Sequence, residues 1–150
     1  MLKPREVKTA DDARRIVEER GISHVKVGLF DNDGVMRGKY MSREKFFSSL
    51  DHGFAFCDVV LGWDVKDQLY DNAQYTGWHT GYPDAPVRIL PHSCRDIPFE
   101  DGMLLFLAEF DHQAEAVCPR GTLRRVIERC QAMGFEPFAA LEYEFFMFNE

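Results

Sequence analysis

The sequence predicts an α+β fold, from a strand–strand–helix order near the N-terminus and a nearly all-apolar strand further on. In "HVKVGLFD", Val25, Val27 and Leu29 alternate with Lys26 and Gly28, the pattern of a half-buried strand. After "NDG" the alternation resumes, Val35 and Tyr40 flanking a segment that sends Arg37 and Lys39 to one side. Asn32-Asp33-Gly34 joins the two runs as a hairpin, since these residue types accept the positive φ angles its turn demands. Ser42 then caps a helix whose stripe is Phe46, Phe47 and Leu50 and whose stop is Gly53. "DGMLLFLAEF" is apolar throughout, so its place is the middle of the sheet.

The order strand, strand, helix is that of a β-grasp (ubiquitin-like) domain. Ahead of it, residues 9–20 read as an amphipathic helix: Thr9 and Asp12 form a capping box, Ala13, Ile16 and Val17 make the stripe, and Gly21 closes the end. Residues 54–100 read as one long, turn-rich, aromatic connection, a length that in a compact domain serves function or a partner. Pro119 opens a further helix with stripe Leu123, Val126, Ile127, Cys130 and Met133, ending at Gly134. The last run, "EPFAALEYEFFMFNE", has the composition of a strand, and no internal repeat is present.

At 150 residues the chain is one domain, or one small domain plus a piece of another. A hydrophobic share of 45% with 29% charged residues is that of a soluble globular protein. No apolar run approaches the roughly 20 residues of a membrane span, and "MLKPREVKTADD" lacks the apolar stretch of a secretory signal. Cys57, Cys94, Cys118 and Cys130 show no zinc-ligand spacing and read as reduced packing thiols of a cytoplasmic protein. A net charge of -7 argues against nonspecific nucleic-acid binding; Arg124, Arg125 and Arg129 are expected on the solvent face of one helix.

Two acidic pairs carry candidate chemistry. An apolar run ending in Asp-x-Asp-Gly is how haloacid-dehalogenase-type phosphatases present a nucleophile and an acid/base, here Asp31 and Asp33. That chemistry wants a buried parallel strand followed by a loop and a helix. This chain places Lys26 in the strand and runs into a second alternation, so Asp31 and Asp33 are read as turn acceptors.

The second pair is Glu142 and Glu144. On a strand they share a face with Ala140, Phe146 and Phe148, while Leu141, Tyr143, Phe145 and Met147 take the other. A strand apolar on both faces would bury both carboxylates side by side, and a hard divalent ion such as Mg²⁺ or Mn²⁺ resolves their repulsion. An edge strand with two exposed glutamates is the alternative.

"ALEYEFFMF" resembles the Glu-x-Glu-Phe-Phe metal motif of the glutamine synthetase superfamily. "DNDGVMRGKY" resembles that superfamily's hairpin and "CPRGTLRRVIERCQAMGF" the helix preceding its metal strand, in matching order. The resemblance covers residues 20 to 150. It implies a β-grasp N-terminal domain over 1–115, with the connection 54–100 inside it, and over 116–150 the truncated beginning of a catalytic domain. It further implies an ATP-dependent ligase of nitrogen metabolism. Such an enzyme phosphorylates the γ-carboxylate of glutamate and lets ammonia or an amine displace phosphate to leave a γ-glutamyl amide. By motif match, Glu142 and Glu144 each ligate one of two neighbouring Mg²⁺ or Mn²⁺ ions, in a site between subunits of a homo-oligomeric ring. A fragment with these parts alone would be inactive.

Family members carry an Asp-Gly-Ser-Ser stretch that helps deprotonate ammonium; the corresponding region here is "FCDVVLGWD", with no Ser pair. Asp64, beside Trp63, is preferred for that role and Asp58 is the alternative, an organic amine becoming a candidate acceptor. Solvated loop acids are the bland reading of both. In "YTGWHTGYPD" the aromatics Tyr75, Trp78 and Tyr82 are expected to pack their own loop; His79 and His92 lack ligand spacing, and Arg120 is a first-turn structural residue. A stand-alone β-grasp binding module, docking through its sheet edge or aromatic loop, is the alternative of a different class.

Overall fold

Thr9 Oγ1 accepts the Asp12 N–H and the Asp12 carboxylate accepts the Thr9 N–H, both at 3.1 Å, and this capping box opens α1 (Ala10–Glu19). The chain continues through β1 (His24–Phe30), β2 (Met36–Ser42), α2 (Arg43–His52), β3 (Phe54–Cys57), β4 (Asp84–Asp96), β5 (Leu104–Phe110) and α3 (Pro119–Ala132). The computed structural model describes residues 1–149. Ser42 caps α2 by accepting the Lys45 N–H, and Gly53, at φ 68°, ends it.

The five strands lie in the order β2-β1-β5-β4-β3, with β1 and β5 parallel and the other neighbours antiparallel. β5 is central, as its apolar run requires. Its residues Leu104, Phe106, Ala108 and Phe110 are fully buried on the face that also carries Val25, Val27 and Leu29 of β1. The stripe of α1 and Phe46 of α2 close over this face, Phe46 packing with its ring tilted against Phe106, 4.7 Å between centroids. This is a mixed α+β fold with α1 and α2 on one face of a five-stranded sheet.

Residues 54–100 are not one loop: they hold β3 and the 13-residue β4. Prolines hide β4 from a propensity reading. Between Leu90 and Arg95 the ladder with β5 shifts register, and Pro91 sits in that bulge, where a missing N–H costs nothing. Ser93 repairs the gap, its Oγ accepting the Leu107 N–H at 2.7 Å and donating to the Leu90 carbonyl.

The far face of the sheet meets α3 through charge. Arg120 and Arg124 each lie 3.7 Å from the Glu109 carboxylate of β5, Arg124 also pairs with Glu115, and Arg125 donates to the Glu115 and Ala116 carbonyls at 3.0 and 2.9 Å. Arg124 therefore faces the protein, while Arg125 and Arg129 are exposed as expected, Arg125 bonding back from the surface. The expected stripe is split: Leu123, Val126 and Met133 are turned outward at 57%, 54% and 64% exposure, while Ile127 and Cys130 are half-buried. Buried Glu109 makes the difference, since it draws the arginine side of the helix inward.

Phe135 to Asn149 form no strand. The run is exposed throughout, and none of the five strands pairs with it. Two apolar faces need a layer on each side, and the described residues supply neither.

Candidate functional site

The tip of the β1–β2 hairpin is built on Asp31, which is fully buried. Oδ1 accepts the N–H groups of Asp33 at 3.1 Å and Val35 at 2.8 Å; Oδ2 accepts Arg37 Nε at 2.7 Å. Leu29 and Arg37 are opposed in the ladder, so Asp31, two residues on, shares their face and meets the guanidinium diagonally. Hydrogen bonding to Asp31 raises the Arg37 pKa further. Asp31 is a turn acceptor, as expected. Asp33 is not: it reaches across to accept the Val65 N–H at 2.7 Å and the Tyr70 hydroxyl at 3.4 Å. A strand returning antiparallel from this tip, with Asp31 committed to three donors, removes the phosphatase arrangement.

The segment that Asp33 grips is an arch. Tyr70 N–H donates to the Gly62 carbonyl and Asp64 N–H to the Gln68 carbonyl, both at 2.9 Å, with a bridge between Trp63 and Leu69. Asp67 takes φ 61° at the turn. Asp64 Oδ1 accepts the N–H groups of Lys66 at 2.8 Å and Gln68 at 2.9 Å, so both bonds fall on one oxygen of a half-buried carboxylate. Asp58 differs: it is 3% exposed and accepts the Thr76 hydroxyl at 2.5 Å. Burial, with the nearby Asp58 charge, raises the Tyr75 hydroxyl pKa. A cavity of about 500 Å³ lies beside these groups, lined by Asn32, Leu61, Tyr70, Tyr75, Thr76 and Val117 among others.

The aromatic loop splits in two. Tyr75 packs on the core, as expected, whereas Trp78 is 83% exposed and meets Tyr82 edge-on, at 5.5 Å between centroids. His79 contacts the Gln74 carbonyl at 3.1 Å.

Glu142 and Glu144 lie on the exposed terminal run and are not brought to Asp58 or Asp64 by any element of the sheet. Among the described residues no three His, Cys, Asp or Glu side chains gather as a metal cluster.

Three comparisons bear on these residues. The family model described as "Glutamine synthetase, catalytic domain" matches residues 116–150, the run that holds both glutamates. Type-1 glutamine synthetase 2 of Dictyostelium discoideum is 42% identical over 129 residues, covering 84% of this chain and 25% of that protein. A glutamate–isopropylamine ligase of Pseudomonas sp is 33% identical over 144 residues, covering 91% of this chain and 31% of the relative. The chain belongs to the glutamine synthetase superfamily. The fold agrees: the glutamine synthetase of Plasmodium falciparum superposes with a TM-score of 0.62 at 13% identity, over 89% of this chain and 24% of that one. The chain thus spans a quarter to a third of the length of the curated relatives described.

For a glutamine synthetase superfamily chain the donor chemistry of the terminal run fits a hard divalent ion: two carboxylates, two positions apart. Their number does not complete a shell, since such ions take six or more oxygens. Glu142 and Glu144 would therefore offer at most part of a ligand set. The residue that sequence reasoning passed over is Arg37. Its signal was there, in an arginine opposite the strand position two residues before a hairpin aspartate. Among the described residues no helix is long and apolar enough to cross a membrane.

Proposed function

We propose that this chain supplies the N-terminal sheet domain, residues 1–115, and the first helix and metal-ligand run, residues 116–150, of an ATP-dependent ligase. That enzyme joins the γ-carboxylate of glutamate to ammonia or a short organic amine by way of γ-glutamyl phosphate. The observation that carries the reading is similarity to two such ligases over 84% and 91% of this chain, spanning both parts. The strand order β2-β1-β5-β4-β3 supports the β-grasp description of the first part.

Within that reading each residue has a task. Glu142 and Glu144 offer oxygens to Mg²⁺ or Mn²⁺, which when bound neutralises phosphate charge as the phosphoryl group moves. Asp64 is preferred over Asp58 for receiving the acceptor amine. One Asp64 oxygen is spent on the arch and the other is left for an ammonium group, whereas Asp58 is buried against Thr76. Rings in which this domain closes the neighbouring subunit's site, in the cytoplasm, complete the proposal. The chain alone positions neither ATP nor glutamate and is inactive.

Phosphate release from ATP by the complete gene product tests this, with glutamate and a panel of ammonia, isopropylamine and other short primary amines. Release that needs both glutamate and one amine is the expected result. Release without either, or none at all, overturns the reading.

A further inference from the structure

We propose that Arg37 is the positioning residue that fixes the 62–70 arch against the hairpin tip and so sets where Asp64 meets the acceptor amine; this rests on the ligase reading above. Arg37 is built into a four-way junction. Its Nε bonds Asp31 at 2.7 Å, Nη1 lies 2.6 Å from Asp67, and Nη2 reaches the Asp64 carbonyl at 3.3 Å. The guanidinium carbon stands 5.0 Å from the Trp63 ring centroid. Three of those four partners belong to the arch.

The rest of the tip works in the same direction. Asn32 Nδ2 donates to the Leu61 carbonyl at 2.6 Å, and Asp33 takes the Val65 N–H and the Tyr70 hydroxyl. A plain two-strand connection needs no bonds to a segment some thirty residues further on. Here Asn32, Asp33 and Arg37 each hold that segment, and Asp31 holds Arg37. The tip is a mount.

Only a planar fork can serve these partners together, because they lie at different edges of one guanidinium and over its face. Lysine would keep the charge and reach one of them. Asp64 is then held at its N–H by Gln68, at one carboxylate oxygen by Lys66 and Gln68, and at its carbonyl by Arg37. The first three bonds are internal to the arch; the last, with the Asp33 bonds, fixes the arch to the sheet.

Position and charge give opposite signs here, which makes the idea testable. Removing Arg37 leaves the tip and arch more negative, and charge alone would then draw an ammonium group closer. Loss of position weakens amine capture instead.

In the complete gene product, Arg37→Gln is expected to speed hydrogen exchange across peptides covering 61–70 by about 10-fold or more, with 104–110 unchanged. The KM for the amine that supports release, ammonia or isopropylamine from the panel, is expected to rise by about 10-fold while the glutamate KM holds. Arg37→Lys is expected to restore neither. Unchanged exchange over 61–70, or a lowered amine KM, overturns the proposal. Should Arg37→Gln fail to fold, with Asp31 left buried beside no cation, the pair Asp33→Asn and Asp67→Asn loosens the arch and leaves Asp31–Arg37 intact; faster exchange over 61–70 is then the deciding readout, since losing two carboxylates raises the amine KM through charge alone. A parent enzyme with no amine-dependent release defeats the ligase reading, and exchange over 61–70 alone then decides the role of Arg37.

Discussion

Glu109 stands directly opposite Arg88 in the β4–β5 ladder, and the guanidinium closes on a single carboxylate oxygen, with Nη2 at 2.5 Å and Nε at 3.1 Å from Oε1. Glu109 is 4% exposed, so its charge depends on neighbours rather than on water. Without Arg88 it would face Arg120 and Arg124 at 3.7 Å, too far for good hydrogen bonds. Arg88→Met is expected to cost about 2 kcal/mol, less than a wholly buried pair because Arg88 is partly solvated. The double variant Arg88→Met with Glu109→Leu should recover part of that loss by removing the buried charge. Urea denaturation of the four proteins in the cycle checks it; purely additive losses would mean the pair is not coupled.

Gly28 and Gly38 are partners in the hairpin register, yet they are not equivalent. A Cβ on Gly38 would lie 2.2 Å from the Val27 carbonyl oxygen, which is backbone and cannot yield. A Cβ on Gly28 would meet the Met36 side chain at 2.7 Å, and Met36 is exposed and free to swing away. Gly38→Ala is therefore expected to cost about 2 kcal/mol and Gly28→Ala under about 1 kcal/mol. Thermal melts rank the two; equal losses would mean the strands separate to admit either methyl.

Cys94 is fully buried in the β4 bulge, and burial pushes its thiol up to about 12. The unfolded thiol ionises near the ordinary value of 9.0. The native state thus holds a proton that the unfolded state gives up. Its contribution is whole below pH 9 and is lost as pH rises toward 12, roughly 1 kcal/mol being gone at pH 10. Cys94→Ala should flatten that part of the stability profile. In native protein at pH 8, iodoacetamide should label half-buried Cys57 and Cys130 well before Cys94 and Cys118, as read by peptide mass spectrometry. Early labelling of Cys94 would show that the bulge opens.

Where a pattern depends on neighbours in sequence, the chain announced its fold: the Thr9 box, the Val25-Val27-Leu29 alternation, the Ser42 cap and central β5 all follow from local rules. β4 was illegible because two prolines interrupt it, and only pairing with β3 and β5 on either side makes a strand of it. The stripe of α3 misled because buried Glu109, on another element, outweighs the apolar positions in orienting the helix. Asp31 was legible as a turn acceptor from its own motif. Asp33 and Arg37 were not, because their partners are Val65, Tyr70, Asp64 and Asp67, placed there by the tertiary fold.

Glu142 and Glu144 are exposed, on a run that no strand of the sheet pairs with. A substitution at either is thus expected to leave the melting of the sheet domain unchanged. If each supplies an oxygen to a divalent ion, Glu142→Ala and Glu144→Ala should each abolish Mg²⁺- or Mn²⁺-dependent phosphate release by the complete gene product, a loss of about 100-fold or more. The contrast separates ligand from scaffold: activity falls while stability of the first domain holds. Titrating Mg²⁺ against each variant completes the test, because a lost ligand raises the metal concentration that residual turnover needs. Full turnover in either variant at the parent's metal requirement would remove that glutamate from the ligand set.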